Sequence, residues 1–222
     1  MNLVKMKTWR DGLYRFLRPL VRKFTDRRRV SEMGSQIKKL LPQFRLDQNS
    51  LVIDLGANRG DFSVLASRES AQIWAFEPNP YAYKYLLSRT RKHRNITIYQ
   101  AAVSDFNGLV DYYNHPDAER DPLGYSIRGS IVRKNPNFKP SIEKVLCIDF
   151  HSLLRDIENI SCLKIDIEGS EKHIWPSIKE NYEKINFLLI EIHDLLTTPL
   201  RAEIEAFIQE KGLQGRWSTR WL

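Results

Sequence analysis

At 222 residues, with 42% hydrophobic side chains and two cysteines, the chain has the size and composition of one α/β domain with a large core. No apolar run reaches bilayer length, the N-terminus lacks the unbroken apolar core of a secretion signal, and Cys147 and Cys162 fall in predicted buried strands, which fits reduced thiols in a cytoplasmic protein. The net charge of +8 is confined to residues 1–30, where ten Lys or Arg face only Asp11 and Asp26; the balanced remainder argues against a broad nucleic-acid groove.

Residues 1–48 read as a basic N-terminal helical arm. From Trp9 to Phe24 apolar residues recur at three- and four-residue steps, with Arg10, Arg15, Arg18, Arg22 and Lys23 on the other side. Such a helix packs its stripe on the domain or lies on an anionic membrane surface, and both readings stand. A second helix, near Ser31 to Leu41, ends before Pro42 and is expected to cover the cofactor side of the domain.

Residues 49–222 form the main domain. Strands are expected near 51–55, 73–77, 96–100, 162–167 and 187–192, and helices near 61–68, 79–91, 150–156, 170–180 and 199–211. This alternation predicts a mostly parallel, twisted sheet with helices on both faces. An insertion at about 109–145, rich in Pro, Gly, Tyr and Arg, breaks the rhythm; its two ends are candidate added strands and its centre a substrate wall or a surface loop. Arg216 to Leu222 is a candidate returning edge strand.

The first strand–turn–helix carries the chemistry. Leu51 to Leu55 is a short buried strand, Gly56 and Gly60 permit a tight turn around Asn58, and Glu77 ends the second strand 21 residues after Gly56, where a carboxylate can accept from both ribose hydroxyls of an adenosine. Asp54 in this turn would repel a pyrophosphate but suits a cofactor bearing an ammonium and a sulfonium, namely S-adenosylmethionine. The plainer reading makes Asp54 a turn cap.

Leu163-Lys-Ile-Asp-Ile-Glu-Gly-Ser-Glu171, with the Asp-x-Gly-Ala-Asn-x-Gly turn, Phe76-Glu-Pro-Asn-Pro80, Ala101-Ala-Val-Ser-Asp105 and Leu188-Leu-Ile-Glu-Ile-His193, resembles the FkbM family of S-adenosylmethionine-dependent methyltransferases over roughly Ser50 to Gly212. The resemblance implies a Rossmann-like class I methyltransferase fold and O-methylation, commonly of sugar or secondary-metabolite hydroxyls. Expected cofactor-binding residues are Asp54, Gly56, Asn58, Gly60, Glu77, Asn79, Ala102, Asp166 and Glu168.

Methyl transfer needs an aligned acceptor oxygen and a group that takes its proton. His193, two residues from Glu191 at a strand end, is the candidate base, with Glu191 or Asp166 orienting it; Asp166, Glu191 and His193 are also a candidate Mg2+ site. Glu168 and Glu171 read either as site acids or as helix-start acids. The expected partner is a small-molecule or glycan hydroxyl acceptor. Competing readings are an RNA methyltransferase using the basic arm and a non-enzymatic scaffold in a glycan-assembly complex. Against the first, no Asn/Asp-Pro-Pro-Tyr/Phe motif follows the fourth strand.

Overall fold

The computed structural model describes residues 37–115, 126, 129–132, 139–140, 144–193 and 200–219. The predicted helix from Trp9 to Phe24 lies outside the described residues, and so does the centre of the 109–145 insertion apart from residues 126 and 129–132.

In chain order the strands are β1 (Leu51–Leu55), β2 (Gln72–Phe76), β3 (Ile96–Tyr99), β4 (Ala101–Ser104), β5 (Gly108–Val110), β6 (Tyr113–Asn114), β7 (Lys139–Pro140), β8 (Val145–Asp149), β9 (Ile160–Ile165), β10 (Ile185–Ile190) and β11 (Trp217–Ser218). The helices are α1 (Asp61–Ala66), α2 (Pro80–Thr90), α3 (Phe150–Leu154), α4 (Glu171–Glu180) and α5 (Leu200–Glu210). Six strands form one parallel sheet in the order β11-β10-β9-β1-β2-β3.

The near-continuous apolar runs of these strands follow from burial on both faces. In β1, Ile53 and Leu55 join Leu163, Ile165, Leu188 and Ile190 against Ile174 and Ile178 of α4 and Ile204 of α5. Val52 points the other way, with Ile73 and Cys162, against Phe62 and Ala66 of α1. At roughly 1.5–3 kcal/mol for each large apolar side chain removed from water, these two layers dominate the stability of the sheet. Helix starts follow local chemistry: Asn79 caps α2 by accepting from the amides of Tyr81 and Ala82, and Asp149 caps α3 by accepting from those of His151 and Ser152.

Three features differ from the sequence reading. The helix expected to stop before Pro42 is helical over 37–40 and runs on as a 3-10 turn, Leu41–Phe44. Proline is tolerated there because a first turn needs no amide hydrogen from it. Of the described residues, Ile37, Leu41 and Phe44 cover the sheet face at Val52, Cys162 and Leu189. Second, the chain leaves the main sheet after Tyr99, and β4, β8 and β5 form a separate three-stranded sheet. The two ends of the insertion are indeed added strands, pairing antiparallel with Leu109 opposite Leu146. Third, Ala102 belongs to β4 of that small sheet, its side chain packed with Tyr112, Val145 and Cys147. The expected edge strand is present as β11, parallel to β10.

β1 is flanked by β2 on one side and β9 on the other, so consecutive crossovers leave it in opposite directions. A crevice opens at such a switch point, at the carboxyl ends of the strands.

Candidate active site

The turn after β1 forms one wall of that crevice. Amides of Gly56 and Ala57 both donate to the Phe76 carbonyl, at 3.0 and 2.9 Å, tying the turn to the end of β2. Gly56 has φ 77°, and a Cβ there would lie 1.8 Å from the carbonyl oxygen of Asp166. Only glycine meets both demands. Asn58, left-handed at φ 48°, then aims its amide at Glu77 Oε2 (2.7 Å), while Oε1 of the same carboxylate accepts from the Asn79 amide (2.7 Å).

Glu77 is buried, and desolvation raises its pKa to about 7 against the lowering effect of those two amides and of Lys164. Tyr112 lies buried beside it, and burial followed by the Glu77 charge pushes its hydroxyl pKa upward. The Asn58 side-chain amide donates to Ser126 Oγ at 3.2 Å. The Asn79 side chain caps α2 and bonds Tyr112, while its backbone amide holds Glu77.

Asp54 sits beneath the turn, with no exposed surface. Its Oδ2 accepts from the Ser63 hydroxyl and its Oδ1 lies 3.1 Å from Lys164 Nζ. Asp54 thus offers no exposed surface for the direct cofactor contact expected of it. Lys164 donates to the carbonyl oxygens of Gly56 (2.7 Å) and Leu55 (3.3 Å) and lies 3.7 Å from Asp166 Oδ2. Burial lowers the Lys164 pKa, but Asp54 and Asp166 outweigh it and leave the ammonium above its ordinary range. One buried cation thus fixes the turn and faces both acids.

The other wall comes from the ends of β9 and β10. Asp166 and Glu191 leave the sheet together, their amides donating to Leu55 O (3.0 Å) and Ile165 O (2.9 Å). His193 Nε2 is 3.6 Å from Glu191 Oε1 and 3.7 Å from Glu168 Oε2, and its Nδ1 is 3.0 Å from Glu171 Oε1. Burial, then the Asp166 charge, raises the Glu191 pKa, with His193 and Lys164 opposing. Glu168 holds a left-handed backbone at φ 55°, and its carbonyl accepts from Ser130 Oγ at 2.7 Å. One oxygen or nitrogen from each of Asp166, Glu191 and His193 can be chosen so that all lie within 4.8 Å of one another.

The structure therefore brings together Gly56, Asn58 and Glu77 on one wall and Asp166, Glu168, Glu191 and His193 on the other. Gly60 has φ 78°, its amide bonds the Ala57 carbonyl at 2.8 Å, and it backs onto Leu86. Glu171, not Glu191 or Asp166, makes the short contact to His193. The strand-end motif contained Glu171, but a contact across 22 residues has no periodic signal. His93, His151 and His173 have partners elsewhere: Ser67, Glu180 and Asp105 respectively.

Residues 54–214 match the methyltransferase FkbM domain family. The chain belongs to the FkbM methyltransferase family. Among its relatives, the 2-O-methyltransferase NoeI of Sinorhizobium fredii is 22% identical over 83% of this chain and 80% of its own length. The hexuronic acid methyltransferase AglP of Haloferax volcanii is 22% identical over 66% of this chain and 57% of its own length. The 31-O-demethyl-FK506 methyltransferase FkbM of Streptomyces tacrolimicus is 29% identical over 68% of both chains.

This FkbM-family protein is thus an S-adenosylmethionine-dependent methyltransferase on a Rossmann-like frame, and its crevice fits that cofactor. Glu77 holds a desolvated carboxylate at the end of β2 with acceptor capacity left for two ribose hydroxyls. The half-buried acids Asp166, Glu168 and Glu191 give the opposite wall the charge that a sulfonium and an ammonium require.

Proposed function

We propose that the protein transfers the methyl group of S-adenosylmethionine to a hydroxyl of a sugar, glycan or related metabolite, with His193 as general base. The observation that carries this reading is the placement of His193: Nδ1 held at 3.0 Å by a buried carboxylate, Nε2 turned toward Glu168 and Glu191 at the crevice edge. The names of NoeI and the FK506 enzyme support an oxygen acceptor, and that of AglP, a hexuronic acid methyltransferase, supports a sugar.

When bound, the cofactor supplies an electrophilic methyl carbon on a sulfonium. The chain's own residues do the rest. Asn58, Glu77 and the Gly56 turn hold the adenosine end, with Lys164 fixing the turn from below. Asp166 and Glu168 face the cationic end. Glu191 and Glu168 accept hydrogen bonds from acceptor hydroxyls, which orients the nucleophilic oxygen. His193 Nε2 takes the hydroxyl proton as the oxygen–carbon bond forms and the carbon–sulfur bond breaks, its electron pair going to sulfur. A divalent cation such as Mg2+ on Asp166, Glu191 and His193 is the second reading, favoured by their mutual approach within 4.8 Å; hard carboxylate oxygens suit that ion, and its charge would lower the hydroxyl pKa.

The test is transfer of labelled methyl from S-adenosylmethionine into a panel of free sugars, lipid-linked glycans and RNA, with mass analysis of products and a chelated arm. Label in a sugar hydroxyl, unchanged by exhaustive chelation, is expected. Label in RNA alone would contradict the acceptor, and loss on chelation restored by Mg2+ would replace His193 as base. Among the described residues no helix is long and apolar enough to cross a membrane. The basic residues 1–30 carry the charge for a contact with an anionic membrane surface, read by co-sedimentation with anionic vesicles at low salt.

A further inference from the structure

We infer that Glu171 is the positioning residue that holds His193 in the Nδ1–H tautomer, so that Nε2 presents its lone pair to the acceptor. The inference rests on His193 being the base and adds to that reading a partner for the imidazole.

Glu171 opens α4 but does not behave as a helix-start acid. Its side chain is 1% exposed and turns back onto the preceding turn: Oε2 accepts from the Gly169 amide (2.9 Å) and Oε1 from the Ile167 amide (3.3 Å). Both amides can only donate, so the carboxyl group meets them as an acceptor. The third group on it is His193 Nδ1, 3.0 Å from Oε1. A nitrogen facing a carboxylate that is already fixed as an acceptor carries the hydrogen, and in a neutral ring the other nitrogen then carries the lone pair. That other nitrogen is Nε2, on the side of Glu191 and Glu168. The same carboxylate fixes the 167–169 turn, which includes the left-handed Glu168, so base and rim are set by one buried group.

Nitrogen-15 NMR of histidine-labelled protein, at a pH where the ring is neutral, reads the tautomer directly. The wild type is expected to show Nδ1–H. In Glu171→Gln the side-chain oxygen stays on the Gly169 amide, the NH2 group faces Nδ1 at the loss of the longer 3.3 Å bond from the Ile167 amide, and the tautomer inverts to Nε2–H. Turnover should then fall by about a hundredfold while acceptor KM and S-adenosylhomocysteine Kd stay within about threefold. In a His193→Ala background, Glu171→Gln should cost nothing more. An equal loss in that background would mark a purely structural role and overturn the inference. So would Nε2–H in the wild type, a ring protonated at both nitrogens throughout the active pH range, or the same tautomer in wild type and variant. If His193→Ala alone retains full activity, the base reading fails, whereas the wild-type spectrum still judges Glu171 independently.

Discussion

Glu77 and His193 stand just beyond the carboxyl ends of β2 and β10, and they are held in different ways. On the donor wall the carboxylate of Glu77 is fixed by main-chain amides of Asn58 and Asn79, and the turn that offers them is fixed by main-chain bonds to Phe76. On the acceptor wall the imidazole of His193 is fixed by side chains, with three carboxylates within 3.7 Å. The donor geometry is therefore a property of the fold, since backbone amides come with strand pairing and a glycine turn. The acceptor geometry is a property of particular side chains, open to change without loss of the sheet. A common cofactor and a variable acceptor are what such a division suits. Lys164 joins the two walls, bonding the Gly56 carbonyl on one and facing Asp166 on the other.

Removing that joint should have the largest effect. Lys164→Met leaves Asp54 charged, buried and without its cation, and a loss of about 3–5 kcal/mol in unfolding free energy is expected by urea denaturation. A loss below about 1 kcal/mol would show that Ser63 alone satisfies Asp54 and that the walls are independently stable.

Glu77→Gln comes next. Replacing a charged acceptor of ribose hydroxyls by a neutral one should weaken S-adenosylhomocysteine by roughly tenfold to a hundredfold in calorimetry, leaving the fold intact. The wild type should also show a pH signature. The Glu77 pKa is raised to about 7, so the free protein binds a proton there that ribose contact would expel. Affinity should then rise by about tenfold from pH 6 to pH 8, and that dependence should vanish in Glu77→Gln. The same raised pKa makes the free protein bind more protons than the unfolded chain between about 4.5 and 7, so this group's contribution to stability declines as pH rises through that window. A flat affinity profile in the wild type would mean that Glu77 is already ionised without ligand.

The smallest effect is expected at the exposed back of the donor-wall turn, where Arg89 also donates to the Arg59 carbonyl at 3.0 Å. Arg89 and Asp61 pair at a partly exposed site between α1 and α2, and Arg89→Ala should cost under about 1 kcal/mol and leave cofactor affinity unchanged. A large drop in affinity would show that the donor wall depends on helix packing as well as on backbone bonds.

The central sheet was legible because its signals are local. Leu51 to Leu55 is a strand buried on both faces, and its ends coincide with the apolar run; Asn79 and Asp149 mark the starts of α2 and α3 by cap chemistry within three residues. Gly56 and Glu77 were readable because a nucleotide turn demands those residue types at that spacing. The small sheet was only half legible. The stretches Leu109 to Tyr113 and Glu143 to Ile148 stand out as strand material and are found as Gly108–Val110 and Val145–Asp149, but the departure of Ala101–Ser104 from the main sheet is decided by pairing with β8, far along the chain. Alternation within a strand gives faces but no register, and Asp54 and Lys164 prove to be register partners on neighbouring strands. It does not tell which groups reach the crevice and which are sealed below it, so Asp54 was expected to meet the cofactor and instead meets Lys164. Glu171 escaped for the same reason: a helix-start acid and a buried acceptor look alike until the turn closes over them.

The most direct measurement is single-turnover methyl transfer by His193→Ala preloaded with S-adenosylmethionine, once an acceptor hydroxyl has been found. Expected is donor affinity equal to the wild type's and a transfer rate lower by about a thousandfold, because only the acceptor wall has changed. A transfer rate equal to the wild type's, or donor binding lost along with transfer, would contradict the division of the crevice into these two walls.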